Sequence, residues 1–141
     1  MNAYAKSADT YLTQRILGAS PEQQAALIME AGQLHLGRAI RSLTDNNLPA
    51  AVNSFLRVSE VIMEATVRLD LEGGGELAQN LKRLYDSATT EIMIASRARD
   101  TARLAAVANG MGEIRSAWEQ YHERKVGAGA TTRFQLGDQT V

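Results

Sequence analysis

Residues 76–99, ELAQNLKRLYDSATTEIMIASRAR, decide the fold. Neither proline nor glycine interrupts them. Leu77, Leu81, Leu84, Ala88, Ile92 and Ala95 recur at steps of three and four, which keeps one apolar stripe on one side of a helix for about six turns. A stripe of that length needs partner helices to cover it. Gly73-Gly74-Gly75 break the chain just before the stretch, and Glu76 puts negative charge where a helix N-terminus is electropositive.

Upstream of the glycines, Leu48-Pro49 opens another helix. Its Leu48, Val52, Phe55, Ser59, Ile62, Thr66 and Leu69 alternate by fours and threes in a seam suited to antiparallel bundle packing. Leu56, Val58, Val61, Met63 and Val67 fall outside that seam, so this helix either buries two faces or offers one to a partner. Further upstream, Ser20-Pro21-Glu22-Gln23 combines an N-cap serine, proline at the first helical position, an acid in the first turn and glutamine three residues after the serine. A helix is predicted from there to about Leu43, with Ile28, Leu36, Ala39, Ile40 and Leu43 inward and Thr44-Asp45-Asn46-Asn47 ending it. Gly32 and Gly37 lie inside it, and each costs roughly 1 kcal/mol against alanine when exposed, so close helix packing is the expected reason for both.

Downstream, Asp100 or Thr101 caps a fourth helix in which Leu104, Val107, Met111, Ile114, Trp118 and Tyr121 keep the helical period. Gly110 and Gly112 are positions where that helix could kink. The expected organisation is an N-terminal arm over 1–19, a bundle over 20–125 and a mobile, disordered tail over 126–141, where only Phe134 and Leu136 have apolar bulk to bury. With two prolines, 5% aromatic residues and plentiful Ala, Leu, Glu, Gln and Arg, the fold class is all-α, an antiparallel up-down four-helix bundle.

Composition removes several functions. Fifteen basic against sixteen acidic residues leave a net charge of −1, which gives no general attraction to nucleic acid or anionic lipid. The absence of cysteine removes disulfides, thiolate metal sites and cysteine nucleophiles, and fits the cytoplasm. No apolar run approaches a membrane span, so no membrane insertion is expected, and the first residues lack the apolar stretch of a secretory signal.

Catalytic and metal chemistry find little footing. Glu119-Gln120-Tyr121-His122 has the Glu-x-x-His spacing of di-iron carboxylate bundles, but the other histidine, His35, has Gly32 three residues before it instead of a glutamate. Glu60 and Glu64 read as a solvated helix face. The serines lack a Gly-x-Ser-x-Gly elbow, and the triglycine lacks the Lys-Ser/Thr of a phosphate loop. Arg97, Arg99 and Arg103 complement a helix C-terminus, and without interleaved aromatics they do not form a nucleic-acid patch. No catalytic residue, metal ligand or cofactor site is therefore assigned. The remaining signal is apolar excess on the second and third helices: Val58, Val61, Met63, Val67, Met93 and Ile94 lie beside the inner stripes, and methionine-containing surfaces suit adaptable recognition of helical or extended segments. On residues alone, a helical adaptor or signalling module remains open, and so does a metal-carboxylate bundle enzyme.

A family resemblance narrows this. Tyr4 and Tyr11, Ala19-Ser20-Pro21-Glu22, Leu69-Asp70 followed by glycines, Leu81, Leu84-Tyr85-Asp86, and Glu113-Ile114-Arg115 with Ala117-Trp118 stand in an order and spacing that resemble the flagellin-specific export chaperones, the FliS family. The match runs to about Glu123. It implies a cytoplasmic four-helix bundle that binds the C-terminal segment of flagellin, prevents premature polymerisation and delivers it to the flagellar export gate. Partner contacts are then expected from Tyr4, Tyr11, Leu12, Val58, Val61, Met63, Tyr85, Met93 and Ile94; the apolar arm either folds back over an apolar groove and is displaced by flagellin, or extends the core or contacts flagellin directly. The chain departs from the family at Ile28-Met29-Glu30, where a Leu-Tyr-Asp-like run is common, at Gln24, where an apolar residue is usual, and at Ser96 in place of asparagine. No binding role is carried over to Met29 or Glu30.

Overall fold

The computed structural model describes the backbone of residues 18–139 and the side chains up to residue 127. The arm residues Tyr4, Tyr11 and Leu12 lie outside that range. Among the described residues the chain is all helical: α1 (Pro21–Thr44), α2 (Leu48–Val67), α3 (Gly75–Ala98) and α4 (Thr101–Gln139). The expected tail over 126–141 begins within α4, and its side chains beyond 127 lie outside the described residues.

Helix starts follow the capping chemistry of the sequence. The Ser20 hydroxyl accepts from the Gln23 backbone N–H at 3.2 Å, and the Gln23 side chain accepts from the Ser20 N–H at 2.9 Å, a reciprocal capping box. Asn47 caps α2 through the Ala50 N–H at 3.3 Å. Asp100 caps α4 by accepting from the Arg103 N–H at 3.0 Å.

The turn before α3 shows what its glycines do. The Gly73 N–H donates to the Asp70 carboxylate at 2.8 Å, and the Gly74 N–H donates to the Asp70 carbonyl at 2.7 Å. A Cβ at Gly74 would run into that same carbonyl, and Gly75 has φ of +61°, so this turn requires glycine twice over.

Packing divides the chain into two compact units, one of Ile28–Ile114 and one made of the ends, up to Leu27 and from Arg115 onward. The first is a helical bundle of the later part of α1, all of α2 and α3, and the start of α4. Its α1–α2 and α3–α4 turns meet, because the Arg99 guanidinium donates to the Asn46 side chain at 3.2 Å, as expected for up-down connections. Met29, Leu36, Val58 and Leu104 are its largest fully buried side chains, one or more from α1, α2 and α4. Gly32 lets α1 come close: a Cβ there would lie 3.1 Å from Met111 Sδ and 3.3 Å from Val61 Cγ1. Gly37 does not share this reason, since a Cβ there would meet nothing within 4 Å.

Two inner stripes differ from the periodic reading. On α3 the buried residues are Ala78, Leu81, Tyr85, Ile92 and Ala95, while Leu77 is 56% and Leu84 52% exposed. The stripe is turned by one residue toward 78 and 85. On α2 the buried residues are Ala51, Ser54, Val58, Ile62 and Ala65, and the expected seam residues Leu48 and Val52 are exposed. Val58 is thus core, not flank. Ala51, Ser54 and Ala65 explain the difference: small side chains allow neighbouring backbones close approach, so the packed face need not be the most hydrophobic one.

In the second unit, the Ser20 hydroxyl meets His122 Nδ1 at 3.0 Å, and Lys125 donates to the Glu22 carboxylate at 2.8 Å. Trp118 and Tyr121 pack edge to face with ring centres 6.2 Å apart.

Candidate partner-binding site

The bundle unit carries an open groove of about 260 Å³ along α3 and α4. Met29, Ile62, Tyr85 and Met111, all nearly buried, form its floor. Leu84, Ala88 and Glu91 line it from α3, and Val107, Gly110 and Ile114 from α4. The lining is therefore mainly apolar, with a floor drawn from all four helices and edges from α3 and α4. A Cβ at Gly110 would meet nothing within 4 Å, so glycine there leaves space at the groove instead of relieving a clash.

One carboxylate on this lining has a fixed partner. Arg103 grips Glu91 with two hydrogen bonds, Nε at 2.6 Å and Nη2 at 2.8 Å. The hydrogen bonds from Arg103, with its charge, hold the Glu91 carboxyl below its usual range, and Glu91 in turn raises the guanidinium. Glu91 consequently stays ionised beside an apolar surface.

The expected contact residues separate by position. Tyr85 is on the groove floor, 4% exposed. Met63, Met93 and Ile94 are exposed apolar side chains outside it. Val61 is half-buried against Gly32, and Val58 is wholly buried, so in the free chain Val58 offers no surface. Sequence reading missed Leu84, which it turned inward, and Met29, to which no role was given. The Leu84-Tyr85 pair was the available signal: two large adjacent apolar residues on a helix point about 100° apart, so one can floor a groove while the other edges it.

The Glu-x-x-His spacing on α4 does not bring its two ends to a common ligand. Glu119 pairs with Arg115 at 3.0 Å, and His122 takes the Ser20 hydroxyl. That serine and histidine are brought together from opposite ends of the chain, which no local motif could reveal. Since the Ser20 oxygen also accepts the Gln23 N–H, its place is in the helix cap.

The family model described as flagellar protein FliS matches residues 3–125. The chain belongs to the FliS family. It is 29% identical over 121 residues to the flagellar secretion chaperone FliS of Vibrio cholerae, covering 85% of this chain and 86% of that one. It is 27% identical over 119 residues to the flagellar secretion chaperone FliSB of Pseudomonas aeruginosa, covering 84% and 94%. With its Salmonella typhimurium counterpart the identity is 27% over 106 residues, covering 74% and 78%. The matched region takes in all four helix starts and the whole groove.

Proposed function

We propose that this chain is a cytoplasmic flagellar secretion chaperone that holds the C-terminal segment of flagellin, keeps it from polymerising prematurely and passes it to the export gate. The observation that carries this reading is the apolar groove edged by Leu84 and floored by Tyr85, in a member of a family whose relatives are flagellar secretion chaperones. Ile94 is exposed further along the same helix near the groove side, and Met93 is exposed on the helix's opposite side.

The energetics suit a disordered client. Such a segment folding onto a surface buries on the order of 1,000–3,000 Å² and loses about 2–5 kcal/mol to ordering. The groove alone is too small for that area, so such a client would extend beyond it, and the exposed Ile94 is an apolar side chain further along α3 that it would meet. Methionine adapts its shape at little cost, which suits a client that is ordered only on binding.

Calorimetric titration with a purified flagellin C-terminal segment tests the proposal. Binding with a negative heat-capacity change is expected, weakened about tenfold or more by Leu84→Asp, with the melting temperature little changed. The same affinity for Leu84→Asp as for the native chain, with the helical fold intact, would refute the placement, and no measurable binding by the native chain would refute the function.

A further inference from the structure

The face of α2 turned away from the core carries a second apolar stripe that the groove does not use. Val52, Leu56, Met63 and Val67 are 58%, 59%, 66% and 77% exposed. At about 100° per residue they cluster roughly 150° from the buried Ala51–Val58–Ala65 line. With Ser59 between them, Val52, Leu56, Ser59 and Met63 step by four, three and four, the spacing of a helix-pairing seam.

We infer that this stripe pairs with the same stripe of a second copy of the chain, antiparallel about a twofold axis passing between Ser59 and Glu60. The spacing is self-complementary under that axis: Val52 falls opposite Val67 of the second copy, and Leu56 opposite Met63, with the small Ser59 at the centre. A twofold contact requires this kind of exchange, in which each residue meets the one that meets it in return.

Charge follows the same symmetry. One flank of the stripe carries Arg57, Glu60, Glu64 and Arg68, paired within the helix as Arg57–Glu60 at 3.2 Å and Arg68–Glu64 at 2.8 Å. Antiparallel pairing sets like flanks side by side. The axis then brings Arg57 level with the midpoint between Glu60 and Glu64 of the second copy, and it also sets Glu60 beside Glu60 of the second copy, a like-charge contact that keeps the pairing weak. The opposite flank, with Phe55 and Ile62, is uncharged.

The area fits a weak dimer. The four exposed side chains offer roughly 400–500 Å² per copy, and with the flanks the pair reaches the lower end of specific interfaces, about 1,000–1,200 Å² in total. Self-association should therefore depend on concentration.

Sedimentation equilibrium of the full chain over a range of concentrations is the first measurement. Reversible growth toward twice the 15.3 kDa chain mass is expected, with Leu56→Asp raising the dissociation constant about tenfold or more. Because the native chain has no cysteine, single substitutions give a second, fold-independent readout. Under mild oxidation Ser59→Cys should form a linked dimer well above the exposed α3 control Thr90→Cys. Val67→Cys should not, since antiparallel pairing puts the two copies of that position roughly 20 Å apart along the axis. A native chain that stays monomeric at every concentration overturns the inference. So does linking through Val67→Cys as efficient as through Ser59→Cys, or through Ser59→Cys no better than through Thr90→Cys.

Discussion

Asn46 and Arg99 are the two non-glycine residues with positive φ among those described, at 57° and 50°, and they are hydrogen-bonded to each other at 3.2 Å. Each ends a helix, and the turn after α3 is closed by the Asp100 N–H donating to the Ala95 carbonyl at 2.9 Å. A left-handed residue with a side chain is disfavoured by about 1–2 kcal/mol, whereas glycine adopts this geometry freely. The exposed Arg99–Asn46 bond offsets only part of that. Arg99→Gly should raise stability by about 0.5 kcal/mol, and Arg99→Ala, which keeps the strain and loses the bond, should lower it. Urea unfolding of the two variants gives the ordering, and alanine at or above glycine would show that the strain argument fails.

Acid should loosen the start of α1. Glu22 is 8% exposed, and the hydrogen bond from Lys125, then its own backbone, hold its carboxyl below the ordinary 4.5. A depressed folded pKa means that the stabilisation is complete above the unfolded value and lost as pH falls through the folded one. Thermal melts of the native chain and of Glu22→Gln should therefore differ by a constant amount above about pH 5 and converge as the pH falls through the lowered folded value. A difference that grows toward acid would contradict this assignment.

Gly32 and Gly37 look alike in the sequence and should respond oppositely. Alanine at Gly37 meets open space and should stabilise by about 0.5–1 kcal/mol through helix propensity and a less flexible unfolded chain. Valine at Gly32 presses on Met111 and Val61, 3.1 and 3.3 Å from even a first carbon, and should cost about 1–3 kcal/mol. Denaturant midpoints distinguish the two sites, and similar shifts for both would remove the packing account of Gly32.

The helix starts were legible because caps are local chemistry. Ser20, Asn47 and Asp100 act within three residues of themselves, and a sequence displays that directly. Which face of each helix turns inward was less legible. Helix α2 is apolar around most of its circumference, so hydrophobic period alone cannot choose between the line through Val52 and Leu48 and the line through Ala51 and Val58. Close approach of the neighbouring helices chose the smaller side chains. On α3, Leu84 and Tyr85 point about 100° apart, so only one of them can face the core, and the larger ring took the floor of the groove, leaving leucine at its edge. The site therefore contained an expected residue, Tyr85, but its lining from α1 and α4 depends on packing across the bundle.

The separation of Leu84 from Tyr85 leads to the last expectation. Tyr85 is both core and groove floor, whereas Ile94 is 43% exposed. Tyr85→Ala should cost about 3–4 kcal/mol of stability, as for other buried large side chains, and weaken flagellin binding as well. Ile94→Asp should leave the unfolding midpoint within about 0.5 kcal/mol of the native chain, as exposed sites generally do, yet weaken binding if the client runs beyond the groove along α3. Leu34, 53% exposed on α1, supplies a control: Leu34→Asp adds the same charge to an exposed apolar site away from the groove lining. Parallel calorimetry and denaturant titration on these three variants separate folding from binding. Equal loss of affinity for Ile94→Asp and Leu34→Asp would mean that added charge, not the α3 surface, is what the client senses.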